Sequence, residues 1–110
     1  MYGFSRAMTG HQWQATHLPP ECCDAVFMRR VYHHLTAPSA ILASIHEALR
    51  VGGRLAIIDF RPDGLVGRIT RMGVDRSEVI RAASAIGFEL VASDEWPGVD
   101  HYVVVFRKGP

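Results

Sequence analysis

The sequence predicts an α/β domain with a parallel sheet joined by a helical crossover and finished by an antiparallel hairpin. Three observations carry this. Asp24 to Leu35 (DAVFMRRVYHHL) and Val51 to Phe60 (VGGRLAIIDF) are short apolar runs that pass into polar residues. The spacer between them has helix length, so the pair reads as a βαβ unit with both strands ending at one edge of a sheet. A second helical pattern is then followed by two strand-like runs around Trp96-Pro97-Gly98.

Taken in order, residues 1 to 13 show neither helical nor strand period and read as an irregular segment, with the folded domain spanning 14 to 110. Leu18-Pro19-Pro20 forces an extended turn, because each proline restricts the residue before it. Ala25 to Val31 is predicted as a buried strand. Pro38 to Arg50 is predicted as a helix, with Ile41, Leu42, Ile45 and Leu49 on one face. Gly52-Gly53 is expected to cap that helix. Arg54 to Phe60 is almost continuously apolar, as a strand covered on both faces should be. Asp75 to Ile86 is a second helix, started by Asp75 and Glu78 and stopped at Gly87. Glu89 to Ser93 and His101 to Arg107 complete the hairpin, the latter rich in β-branched and aromatic residues. The predicted strand order is Ala25–Val31, Arg54–Phe60, His101–Arg107, Glu89–Ser93. The connection from 61 to 74 has no clear period and three glycines; a loop of that length either has a function or is mobile.

Composition narrows the function. The chain has 110 residues, 48% of them apolar, and a net charge of +1, so it forms one small domain with a thin core. That balance argues against nucleic acid or an anionic membrane as the main partner, since both require a basic patch. Cys22 and Cys23 are adjacent, which is poor geometry for a mutual disulfide, and they are expected as free thiols suited to a reducing cytosol. No metal-ligand spacing is present: His11, His17, His46 and His101 are scattered and expected to be solvent-facing or structural. No apolar run approaches a membrane span. A soluble, cytoplasmic protein is expected.

In open α/β sheets ligands bind outside the carboxyl ends of the strands. Arg29, Arg30, Tyr32, His33 and His34 from one strand end, with Asp59 and Arg61 from the next, are therefore expected to share one crevice.

The same blocks resemble the class I S-adenosylmethionine-dependent methyltransferases of the type 11 branch. That family has a D-x-V-x strand running into a turn with one or two histidines, a helix ending in leucine-x-proline-glycine-glycine, and a strand closing on an acidic residue. Asp24-Ala25-Val26, His33-His34, Leu49-Arg50-Val51-Gly52-Gly53-Arg54-Leu55 and Asp59 fill those places, with Val51 where proline is usual. The resemblance covers roughly residues 14 to 107, the second half of the family's domain. It implies a partial Rossmann-like sheet in a three-layer αβα arrangement and S-adenosylmethionine as cofactor. Gln14 to Pro20 resembles the family's segment beside the adenine, with Gln14 in place of an aspartate. The resemblance thus gives Gln14 and Ala15 as cofactor-binding residues; Met28, Arg29 and Arg30 are expected to meet the cofactor from their place at the strand end, and Asp59 and Arg61 to bind substrate from theirs.

Methyl transfer needs mainly orientation of the nucleophile and exclusion of water, with a base only for a hydroxyl or protonated amine acceptor. His33 and His34 are candidate bases and Tyr32 a hydrogen-bonding positioner; the alternative is that the histidines start the turn and cap the next helix. Arg29 and Arg30 either meet an anion, in the substrate or the cofactor, or form a surface pair. Asp59 either accepts from a substrate or caps its turn.

The family's glycine-rich loop and ribose-binding carboxylate have no counterpart, and a nicotinamide fingerprint is likewise absent. The chain is therefore expected to be a truncated methyltransferase that binds its cofactor weakly or not at all. The reading from another class is a non-catalytic α/β module that self-associates or docks to a partner through the strand Ala25–Val31. Ala25–Val31 would then be an exposed sheet edge, and such edges pair, so a homodimer through this strand is expected in preference to coverage by residues 1 to 13. A small molecule is the expected substrate partner.

Overall fold

The computed structural model describes residues 2–4, 18–30, 32, 35–64, 73–96 and 100–110, with the backbone alone at 2–4 and 96. Among the described residues five strands, β1 (Tyr2–Phe4), β2 (Cys23–Arg29), β3 (Leu49–Phe60), β4 (Phe88–Trp96) and β5 (His101–Lys108), form one sheet in the order β1-β2-β3-β5-β4. β1, β2 and β3 are parallel, while β5 runs antiparallel to β3 and β4. The predicted crossover, hairpin and order of the last four strands are all present.

The sheet edge differs from expectation. Tyr2, Gly3 and Phe4 pair with Val26, Phe27 and Met28, so β2 has a neighbour on both sides and is not an exposed edge. Three residues suffice because pairing needs backbone groups rather than apolar side chains, and Tyr and Phe are good strand formers. The argument for a homodimer through this strand falls with that pairing.

Helix α1 (Pro38–Ala48) starts with proline at its first turn, where the missing N–H is not needed, and ends with the Leu49 N–H donating to the Ile45 carbonyl. Its buried positions Ile41, Leu42, Ile45 and Ala48 recur at helical spacing. Helix α2 (Arg76–Ile86) is capped by Asp75, whose carboxylate accepts from the Ser77 N–H at 2.9 Å and the Ser77 hydroxyl at 2.8 Å. It closes at Gly87, which has φ +119°. Those bonds hold the Asp75 carboxyl below its ordinary pKa, the Ser77 backbone N–H acting most strongly. A carboxylate depressed on folding contributes stability that is complete above its unfolded pKa and is lost as pH falls through the folded one. Asp75→Ala should therefore lower the thermal midpoint at neutral pH, and the gap to the parent should narrow under acid. A gap that is constant or widens on acidification would show that the charge at this cap is immaterial.

The two helices pack on each other and on one face of the sheet. The core comprises Val26, Met28, Leu55, Ile57, Tyr102, Val104 and Phe106 from the strands with Ile41, Leu42, Ile45, Val79 and Ala83 from the helices. Burying each large aliphatic side chain contributes about 1.5–3 kcal/mol. A second helical layer, completing the three-layer arrangement, is not among the described residues. The other sheet face carries Ala25, Phe27, Ala56, Val103 and Val105, all half-buried.

Gly52-Gly53 does not cap α1. The strand begins directly at Leu49, and the register with β2 shifts between Cys23, opposite Leu49, and Ala25, opposite Arg54. The glycines let the extra residues of β3 bulge: Gly52 adopts φ +83°, and Gly53 lies against the Arg50 and Asp24 carbonyls. The cysteines also differ from expectation, because Cys22 and Cys23 form a disulfide across a Cα separation of 3.7 Å. They are not free thiols, and the argument from free thiols to a reducing cytosol no longer carries. Among the described residues no helix is long and apolar enough to cross a membrane.

Candidate functional site

The parallel strands deliver their carboxyl ends to one edge, and the antiparallel β5 starts there. Arg29 and Arg30 end β2, Asp59 to Arg61 end β3, His101 begins β5, and Val74 and Asp75 lead into α2 at the same edge. Backbone bonds knit these segments together: the Arg30 N–H donates to the Ile58 carbonyl at 2.8 Å, the Val74 N–H to the Phe60 carbonyl at 3.3 Å, and the Arg61 N–H to the Asp100 carbonyl at 2.7 Å.

The single crevice expected from sequence resolves into three neighbouring places. The first is a cavity of about 560 Å³ between the two helices, lined by Tyr32, Leu35, Ser39, Val74, Glu78 and Arg81 among others. Tyr32 is buried there, and its phenol is pushed up to about 12, first by burial and then by the Glu78 carboxylate. It stays neutral near pH 7 and can donate or accept a hydrogen bond without acting as a base, which suits a positioning role.

The second place is a cleft of about 350 Å³ lined by Arg61, Pro62, Asp63, Asp75, Arg76, Glu95 and Tyr102. Glu95 bridges Arg61 at 3.5 Å and Arg76 at 3.0 Å, and Arg61 also meets Asp63 at 3.4 Å. Exposed ion pairs of this kind add little stability, so their consequence is orientation. Beneath them Tyr102 donates to the Val74 carbonyl at 2.7 Å and lies under the Arg76 guanidinium. The Tyr102 phenol is pushed far up, first by burial and then by the Asp59 charge. Asp59 itself is fully buried, and its carboxylate accepts the Phe60 N–H at 2.7 Å. It belongs to the floor of this region rather than its surface.

The third place lies on the sheet face away from the helices. Arg30 lays its guanidinium over the Phe60 ring, 5.2 Å from the centroid, and donates from Nε to His101 Nε2 at 3.0 Å. The His101 ring leans on Phe60 with centroids 4.4 Å apart. Arg29, the preceding residue, is exposed, and Met28 before it is buried in the core. Gln14, Ala15, His33 and His34 lie outside the described residues, as do 65–72 of the long connection and His11 and His17.

Sequence reasoning missed Phe60, Arg76, Glu95, Tyr102 and His101 as neighbours of the site. His101, expected to be solvent-facing or structural, is buried. The predicted topology held the signal for it, since the first residue of an antiparallel strand beside β3 must sit where β3 ends. His46 has a structural place, edge-on to Phe88 with centroids 4.9 Å apart, and its pKa is lowered by burial first and by Lys108 second. Among the described residues no group of three or more His, Cys, Asp or Glu side chains could hold a metal ion.

Comparison with known proteins bears on this edge. A family model described as a methyltransferase domain, of the type 11 branch, matches residues 6–57. Over that stretch, just under half of the chain, the sequence is similar to a methyltransferase domain. The matched span joins β2, α1 and most of β3 and starts ahead of residue 14, where the resemblance read from sequence began.

Solved methyltransferase structures share the fold. A Thermotoga maritima S-adenosylmethionine-dependent methyltransferase, described as a possible histamine N-methyltransferase, superposes with TM-score 0.72 at 15% identity over 86% of this chain and 60% of its own. A 1,6-didemethyltoxoflavin-N1-methyltransferase from Burkholderia thailandensis, solved with that compound and S-adenosylhomocysteine, gives 0.71 at 23% identity over 88% of this chain and 48% of its own. A methyltransferase from Aquifex aeolicus gives 0.67 at 22% identity, over 84% of this chain and 50% of its own. The chain thus spans half to three-fifths of these relatives. At such identities the likeness is one of fold. No curated protein matches.

Proposed function

We propose that this chain provides the acceptor-side part of an S-adenosylmethionine-dependent methyltransferase acting on a small molecule. The observation that carries the reading is the convergence of Arg29, Arg30, Tyr32, Asp59 and Arg61 around the carboxyl edge of a sheet of methyltransferase order. The Burkholderia relative, with a small-molecule substrate and S-adenosylhomocysteine bound, supports both the cofactor and the acceptor class. When bound, S-adenosylmethionine supplies a methyl group on a sulfonium, which an aligned nucleophile displaces. The exposed Arg29 at the end of β2 is of a charge to meet that group's carboxylate. In this proposal Arg29 lies beside the cofactor with Met28 beneath it, Gln14 and Ala15 flank the adenine, and His33 or His34 takes a proton where the acceptor requires it. Tyr32 positions the acceptor, Arg61 borders its cleft, and Asp59 holds the floor. Rate then derives from orientation and exclusion of water.

Binding by this chain should be weak. A dissociation constant of about 10 μM corresponds to about −7 kcal/mol, and one of about 1 mM to about −4 kcal/mol; S-adenosylhomocysteine should fall between them. Amide shifts on titration should concentrate on Ala25 to Arg30. Saturable binding tighter than about 10 μM would refute the expected weakness, and the absence of any shift at about 1 mM ligand would refute the cofactor assignment.

A further inference from the structure

Arg30 differs from Arg61 and Arg76, the arginines beside it at the carboxyl edge. Arg61 and Arg76 are each neutralised by a carboxylate. All eleven acidic side chains lie among the described residues, yet among those residues no ion pair involves Arg30. Its guanidinium is nevertheless fixed at two points, by the Phe60 ring below and by His101 Nε2 at its Nε. Because His101 Nε2 accepts that bond, a neutral His101 carries its proton on Nδ1. The backbone supports the same arrangement: Arg30 has φ +60°, a left-handed conformation uncommon outside glycine and concentrated at functional sites. With Nε engaged, the two terminal NH2 groups remain, a fork that matches a carboxylate or phosphate.

The direction of the side chain sets where a ligand would lie. Arg30 leans away from β1, across β3 to His101 on β5. We propose that Arg30 is a preorganised oxyanion site for the methyl acceptor, with His101 as its positioning residue, so that acceptors carrying a carboxylate or phosphate are selected. The proposal rests on the methyltransferase reading for the word acceptor, and on the geometry alone for the anion.

The test titrates the full chain, at low ionic strength, with benzoate, phenyl phosphate and benzyl alcohol, following amide shifts. Benzoate, phenyl phosphate or both should shift Arg30, Arg29 and His101 saturably, and benzyl alcohol should not. The stronger of the two anions identifies the oxyanion. Arg30→Gln should weaken that binding at least tenfold. His101→Leu keeps the packing on Phe60 but removes the acceptor for Nε, and should weaken binding several-fold with an unchanged thermal midpoint; His101→Gln, whose side-chain oxygen can accept, should restore it. Anion binding untouched by Arg30→Gln, or equal loss in His101→Gln and His101→Leu, would overturn the proposal. So would an Arg30→Gln variant that loses S-adenosylhomocysteine binding but keeps benzoate, since Arg30 would then serve the cofactor. Should S-adenosylhomocysteine shift nothing while benzoate still binds through Arg30, the methyltransferase reading fails and the oxyanion site stands.

Discussion

Gly53→Val should be among the most damaging single substitutions in the chain. A Cβ at this position would meet the Arg50 carbonyl oxygen at 2.8 Å, the Asp24 carbonyl oxygen at 3.1 Å and Leu49 Cδ2 at 3.1 Å. Two of these are backbone atoms, which cannot rotate aside as a side-chain end would. Valine adds two more carbons to the clash and separates the strands where the register shifts. Overpacking of this kind costs about 1–3 kcal/mol, and occasionally more, a large part of the 5–15 kcal/mol that holds a domain folded. Gly52→Ala is the informative comparison. Nothing lies within 4 Å of its Cβ, so only the backbone conformation at φ +83° opposes the substitution, at about 1–2 kcal/mol. Denaturant midpoints should therefore fall in the order parent, Gly52→Ala, Gly53→Val. Equal midpoints for the two variants would show that the close approach at Gly53 relaxes freely. Gly64 is no neutral control: though in a loop it is buried, and its Cβ would meet Asp100 Cγ at 2.6 Å.

This glycine pair shows where sequence reading reaches its limit. Gly-Gly after a helix and before a strand fits a cap and a bulge equally well, because both use a residue with positive φ. Pairing decides between them: Leu49 is already opposite Cys23, so the strand has begun before the glycines are reached. The crossover and hairpin were readable because their periodicities persist over whole elements. β1 was not, since a three-residue strand has no period and its partner lies more than twenty residues away in the chain. The Cys22–Cys23 disulfide was missed for another reason: adjacency argues against such a bond in general and is silent about one particular turn.

The site divides in the same way. Arg29, Arg30, Tyr32, Asp59 and Arg61 could be read as edge residues from topology alone. Their separation into three places could not, because it depends on which sheet face each side chain takes. Alternation puts Asp59 and Tyr102 on the helix face and Phe60 and His101 on the other, so neighbours in sequence part company. Arg30 and His101 are 71 residues apart, and nothing local to either announces the other.

Tyr102 is where fold and site are joined, and its substitution should show both effects separately. The ring is 1% exposed, within the core under Arg76, while the hydroxyl donates to the Val74 carbonyl at 2.7 Å. Tyr102→Ala removes the ring and leaves a cavity between β5 and α2, a loss of about 3–5 kcal/mol by analogy with other large aromatics. That would leave a marginal domain substantially unfolded. Tyr102→Phe keeps the ring and removes only the bond to Val74, at about 1 kcal/mol. Because Val74 immediately precedes the Asp75 cap, the second variant should loosen the entry to α2 without disturbing the strands. Hydrogen exchange should then quicken at Ser77 to Ile80 while Leu55, Ile57 and Val104 keep their protection. The cleft formed by Arg61, Arg76 and Glu95 should widen with it, since Arg76 begins α2. Uniformly faster exchange in Tyr102→Phe would mean that the hydroxyl supports the whole core rather than the rim of the site.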